Sequence, residues 1–202
     1  MRQPVSVAVA ARPYPGEPES GDAWQVDWHG PLCRIAVVDG LGHGPCAATA
    51  ALAATTALAT DPTLTPVSAI ERCHDALRGT RGAALLVAAI DVSAGRLTIA
   101  GVGNVAAHLW QDGRRQHLVT DRGIAGSAMP RLRPVEAPIG ADWTLLIHTD
   151  GIRDRFDMGE LIAKTTDAHD LAETVLRDWG RPTDDATVVV AQPLPPEGAS
   201  RR

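Results

Sequence analysis

The stretch Val37-Val38-Asp39-Gly40-Leu41-Gly42-His43-Gly44 runs an apolar strand into a glycine-rich loop with an aspartate at the junction. Two similar junctions follow downstream, Asp150 in Thr149-Asp150-Gly151-Ile152 and the pair Asp184-Asp185 ahead of Ala186-Thr187. Carboxylates at strand ends supply hard oxygen ligands, and adjacent glycines let carbonyls and water approach, which is what a divalent-cation site needs. A lone Asp-Gly pair at a strand end is usually a turn. It is the ordered set that carries information.

Working outward, Asp22 to Trp28 and Cys33 to Asp39 flank Trp28-His29-Gly30-Pro31, a turn signal, and predict a hairpin. Pairing across that hairpin brings Asp22 and Asp39 to the end opposite the turn. Val5 to Ala11 reads as a first strand, followed by a proline-rich loop to Ser20. Pro45 begins an alanine-rich helix to about Ala59, and Thr65 caps a second that buries Val67, Ile70, Cys73 and Leu77 and stops at Gly79. Strands are expected at Ala84 to Asp91, Leu97 to Ala100, Val105 to Trp110 and Gln116 to Thr120, then a loop over 121–141. Trp143 to Thr149 is a strand, Ala168 to Trp179 a helix and Ala186 to Ala191 a closing strand. Hairpins interrupted by consecutive helices favour an antiparallel α+β sandwich over an alternating βαβ sheet.

The 202 residues suffice for one domain, read as 1–191, with a disordered tail over 192–202. Net charge is -5, and 18 arginines with a single lysine, Lys164, form no basic stripe, so nucleic acid is not an expected partner. Cys33, Cys46 and Cys73 lack CxxC spacing, and neither a signal peptide nor an apolar run of about 18 residues is present. A cytoplasmic protein without a membrane span is the expectation.

Two carboxylates about 5 Å apart at an effective dielectric near 20 repel by roughly 3 kcal/mol, so a cluster of them calls for cations. Oxygen ligands without a His/Cys set suit Mg²⁺ or Mn²⁺, and a paired site suits phosphoryl hydrolysis by activated water. The glycines after Asp39 could instead belong to a dinucleotide loop, but no acidic residue ends a second parallel strand about 20 positions on.

Ser20-Gly21-Asp22, Asp39-Gly40-Leu41-Gly42-His43-Gly44, Thr149-Asp150-Gly151-Ile152 and Asp184-Asp185-Ala186-Thr187-Val188-Val189-Val190 together resemble the PPM (type 2C) metal-dependent serine/threonine protein phosphatases. Leu41-Gly42-His43-Gly44 resembles the SpoIIE branch, and the length with Ala100-Gly101-Val102-Gly103-Asn104 resembles its RsbX-like stressosome phosphatases. The resemblance implies an α-β-β-α sandwich and a centre of two Mn²⁺ or Mg²⁺ ions. By that resemblance Asp39 bridges both metals, the Gly40 carbonyl ligates one, and Asp150 and Asp184 hold the second. Asp22 ligates directly or through waters, and Asp185 supports. A water bridging the metals would attack phosphorus on a phosphoserine or phosphothreonine of a STAS-domain regulator in a partner-switching or stressosome pathway.

Two departures bear on mechanism. Many relatives carry a histidine two residues after the bridging aspartate as general acid; here Leu41 stands there, leaving either His43 or a metal-bound water. The phosphate-binding arginine has no clear counterpart, since Arg12 lies beyond the proline loop. His148 reads as structural. Only 33 residues separate Asp150 from Asp184, too few for a large recognition flap, so specificity is expected from docking a folded partner. The alternative is a catalytically inactive protein of the same fold that binds such regulators.

Overall fold

Residues 5–194 are described by the computed structural model. The elements in order are β1 (Val5–Arg12), β2 (Asp22–His29), β3 (Leu32–Gly40), α1 (Pro45–Ala59), α2 (Pro66–Ala76), β4 (Ala83–Asp91), β5 (Arg96–Val102), β6 (Ala106–Gln111), β7 (Arg114–Leu118), β8 (Val135–Pro138), β9 (Trp143–His148), α3 (Met158–Lys164), α4 (Ala168–Trp179) and β10 (Ala186–Pro193). They build two five-stranded sheets, β1-β10-β9-β6-β7 and β2-β3-β4-β5-β8, whose strand pairs are all antiparallel.

Strand β3 explains the layering. It is almost continuously apolar because both faces are covered. Ile35 and Val37 join Leu86, Ile99, Leu145 and Val189 between the sheets. Ala36 and Val38 point the other way, against Leu58 of α1 and Ile70 of α2. On the far side, α3 and α4 place Leu161, Leu171 and Val175 over Leu146, Val188 and Val190. The result is helix, sheet, sheet, helix, an α+β sandwich as the sequence resemblance implies.

The small side chains of α1 let it lie close. Ala47, Ala50 and Ala54 are fully buried, and a Cβ on Gly40 would come 2.3 Å from the Ala47 carbonyl oxygen. Arg34 of β3 is buried at 1% exposure, yet its guanidinium is satisfied by Asp27 at 2.5 Å and by the carbonyls of Leu58 at 2.7 Å and Asp61 at 2.6 Å. One side chain thereby fastens the connection between the helices to the sheet.

The structure corrects several local expectations. Segment 121–141 is not all loop: Val135–Pro138 pairs with β5 as an edge strand, and Ala125 bridges to Ala83. A short helix, α3, precedes α4. The turn expected at Gln111-Asp112-Gly113 is where β6 and β7 meet, but β7 starts at Arg114 rather than Gln116. Val67 is only half-buried, and α2 places Ala69 in the core beside Ile70 and Cys73. The closing strand runs to Pro193, so Gln192 and Pro193 belong to the sheet. Residues 195–202 of the expected tail lie outside the described residues.

Among the described residues no helix is long and apolar enough to cross a membrane.

Candidate metal centre

The two sheets bring four strand ends to one edge of the sandwich. β3 ends with Asp39-Gly40, β2 begins with Asp22, Asp150 follows β9 by two residues, and Asp184-Asp185 immediately precede β10. The β2–β3 register pairs Asp22 directly with Asp39. Across the sheets, Thr149 Oγ1 donates to Asp22 Oδ2 at 2.7 Å and accepts the Thr187 N–H at 3.0 Å.

The electrostatics show how crowded this edge is. Burial pushes the Asp39 carboxyl up to about 8, reinforced by the charges of Asp22, Asp150, Asp184 and Asp185. Burial likewise raises Asp22 to about 7, opposed by the Thr149 hydroxyl and increased by Asp185 and Asp150. Asp184 is raised too, by burial and then Asp150, with Arg181 acting in the opposite sense. These are carboxylates that resist carrying charge together.

Asp185 divides its oxygens. Oδ1 accepts from the Tyr14 N–H at 2.8 Å and from the Ser20 hydroxyl at 3.1 Å, holding the proline-rich loop. Oδ2 is buried and has no protein partner. A buried orphan oxygen costs free energy unless something electropositive meets it. This orphan oxygen and the clustered carboxylates fit a hard divalent cation.

Beside the carboxylates lies a cavity of about 290 Å³, whose walls include Asp39, Asp150, Asp184, His43 and Asn104. Asn104 donates to Asp150 Oδ2 at 2.6 Å. The His43 ring stacks on Tyr14 with centroids 4.3 Å apart, and its Nδ1 lies 3.1 Å from Glu17 Oε1. Gly42 takes φ +92°, and a Cβ there would come 2.6 Å from Nη1 of Arg81, so that guanidinium lies against the cavity wall. Arg12 points elsewhere, donating to the Arg181 carbonyl.

Thus Asp22, Asp39, Gly40, Asp150, Asp184 and Asp185 gather at one edge, with His43 on the wall of the adjoining cavity. Tyr14, Glu17, Arg81, Asn104 and Thr149 also shape the site, though sequence reasoning gave them no role. Thr149 and Asn104 lie inside the Thr149-Asp150-Gly151-Ile152 and Ala100-Gly101-Val102-Gly103-Asn104 motifs, whereas Glu17 and Arg81 carry no pattern that would single them out.

A second cluster is structural. His108, His117 and Asp154 offer ligand atoms within 4.8 Å of one another. Arg115 already fills the cation's place, pairing with Asp154 and lying 3.2 and 3.1 Å from the two His108 nitrogens. Burial pushes His108 down to about 3, with Asp154 opposing and Arg115 reinforcing. His148 stacks on His108 with centroids 5.5 Å apart and is buried at 2% exposure.

The family model described as Stage II sporulation protein E (SpoIIE) matches residues 31–193. None of the curated proteins matches. Among solved structures, a chain from work on the bacterial stressosome as a modular system controlling secondary messenger signalling is 32% identical, with TM-score 0.87, over 93% of this chain and 98% of that one. RsbX in complex with magnesium is 22% identical at TM-score 0.85, over 94% of this chain and 96% of that one. The PP2C phosphatase domain with a regulatory fragment of SpoIIE from Bacillus subtilis is 21% identical at TM-score 0.78, over 95% of this chain and 64% of that one. With the family matched over most of its length, the chain belongs to the SpoIIE family, a branch of the metal-dependent PPM (type 2C) serine/threonine protein phosphatases.

Proposed function

We propose that this phosphatase removes phosphate from a serine or threonine of a STAS-domain regulator in a stressosome or partner-switching pathway, with two divalent cations at its carboxylate edge. The observation that carries the chemistry is the convergence of five aspartates, with burial and mutual repulsion raising Asp39 to about 8. Likeness to RsbX and to a stressosome-related chain supports the substrate class.

Asp39 is the carboxylate whose charge all four others oppose, and by the family resemblance it would serve both cations, with the Gly40 carbonyl available to one. Asp150 and Asp184 would hold the other, and Asp22, fixed by Thr149, would ligate directly or through water. Asp185 supports the set while anchoring the loop of residues 13–20 through Tyr14 and Ser20. When bound, Mn²⁺ or Mg²⁺ would neutralise these carboxylates and the phosphate oxygens and acidify water.

The protein's own groups do the rest. Asn104 fixes the orientation of Asp150. With its Nδ1 hydrogen held by Glu17, His43 in its doubly protonated form would deliver the Nε2 proton to the departing serine oxygen and be left as the neutral Nδ1–H tautomer. Arg81, beside Gly42, supplies positive charge for phosphate oxygens. The segment between Asp150 and Asp184 holds only two helices and short connections, so recognition beyond the residues beside the phosphoserine falls to docking of a folded regulator.

The test is Mn²⁺-dependent hydrolysis of p-nitrophenyl phosphate and of a phosphorylated STAS-domain protein. We expect activity that EDTA abolishes and that falls roughly 10²-fold or more in folded Asp39→Asn and Asp184→Asn proteins. A folded wild type that binds the phosphorylated regulator but hydrolyses neither substrate would replace catalysis with the alternative, an inactive regulator-binding protein.

A further inference from the structure

We infer that Arg153, Arg155 and Arg181 form a docking niche for acidic side chains flanking the phosphorylated residue of the substrate, a conclusion that rests on the phosphatase reading above. These three residues and Asp154 line an open niche of about 440 Å³. All three arginines are exposed, and among the described residues none of them forms a side-chain hydrogen bond or an ion pair. The one carboxylate in the niche is already taken, because Asp154 pairs with Arg115. Three guanidinium groups therefore share a small area on a protein of net charge -5. Such forks match carboxylates in geometry as well as charge.

Position gives the niche its partner. Arg181 N–H donates to the Gly151 carbonyl at 2.7 Å, and Arg153 N–H donates to the Trp179 carbonyl at 2.9 Å. Ile152 and Gly180 form a bridge between the same two segments. One segment leaves Asp150 and the other leads to Asp184, so the niche abuts the carboxylate edge. Arg153 stands three positions after Asp150, and Arg181 three positions before Asp184. At full extension that is at most about 10 Å. A substrate whose phosphate enters the cavity at Asp39 would lay residues a few positions from its phosphoserine over these arginines. A carboxylate there gains the pairing that the aspartate edge denies it.

The experiment compares two phosphoserine peptides, flanked on both sides by glutamates or by glutamines, with p-nitrophenyl phosphate as reference. For wild type we expect the glutamate peptide to be preferred in kcat/KM by roughly tenfold, the worth of two or three partly exposed ion pairs. In Arg153→Glu/Arg155→Glu the preference should vanish or reverse, and salt at about 0.5 M should erase it in wild type. Both positions are exposed, so the variant is expected to fold, which its melting curve would verify. Equal preference in wild type and variant would overturn the niche, as would turnover of the reference compound with neither peptide hydrolysed. Failure of wild type on the reference compound as well would instead strike the phosphatase reading.

Discussion

Thr149, in the segment after β9, holds Asp22 at the start of β2 through a 2.7 Å hydrogen bond that crosses from one sheet to the other. The same hydroxyl accepts the Thr187 N–H at 3.0 Å. Because it must accept from one neighbour, it is committed as a donor to the carboxylate. The bond therefore favours the ionised form of Asp22 against the burial that disfavours it.

Replacing Thr149 by Val keeps the shape and removes the donor. We expect a stability loss of about 1–3 kcal/mol from the unpaired buried carboxylate. Mn²⁺ affinity should weaken too, since Asp22 would hold its proton more tightly. Thr149→Ser should retain both properties. Thermal melts and a Mn²⁺ titration decide it; a valine variant indistinguishable from wild type would deny the bond this role.

Asp22 and Asp39, raised to about 7 and 8, keep protons in the folded protein that the unfolded chain has already released. Without cations, their contribution is fully present below the ordinary carboxylate range near pH 4 and is lost as pH rises through 7 and 8. His108, pushed down to about 3, works in the opposite sense, with stability present above its ordinary 6.5 and lost as pH falls toward 3. Melting in EDTA between about pH 6.5 and 9 thus isolates the aspartates. We expect Tm to fall across that window by on the order of 10 °C, because each tenfold difference in proton affinity between folded and unfolded chains is worth about 1.4 kcal/mol. Asp39→Asn should flatten the slope and melt above wild type near pH 8 without cations. Saturating Mn²⁺ should reverse that ranking.

Arg34 is predicted to be costly to truncate. Its removal leaves the carbonyls of Leu58 and Asp61 without this donor and leaves Asp27 with Gln25 but no cation. Arg34→Ala should cost about 3–5 kcal/mol, and Arg34→Met, which refills the volume, distinctly less. Chemical denaturation would measure both, and equal losses would contradict a role for packing in the difference.

Gly42→Ala places a methyl where φ is +92° and where Nη1 of Arg81 would lie 2.6 Å away. The backbone penalty is about 1–2 kcal/mol. Displacement of Arg81 should add a loss of catalytic efficiency toward p-nitrophenyl phosphate. In the Arg81→Ala background that additional loss should disappear, leaving only the stability cost. An activity loss of the same size in both backgrounds would show that Arg81 plays no part in it.

The carboxylate edge was legible where local geometry determines it. Asp22 and Asp39 meet because a hairpin with its turn near Gly30 can pair them only at the opposite end. What the sequence hides is contact made by packing one sheet on another. Nothing local announces that Thr149 would reach Asp22, that Arg81 would lie against Gly42, or that Glu17 would hold His43. Short elements were lost for a different reason. Val135–Pro138 lies between prolines, and Pro138 suits only an edge strand, which reads as loop. Met158–Lys164 is seven residues long, although Asp157 followed by Glu160 is a capping signal that could have revealed it.

The antiparallel register of β2 and β3 also works as a gauge of length. Eight rungs run from His29–Leu32 at the turn to Asp22–Asp39 at the far end. A slip of one rung would set Ala23 against Asp39 and turn Asp22 to the wrong side of the sheet. The residues of the turn can therefore be exchanged, but its span cannot, because chemistry at one end of the ribbon is measured out from the other.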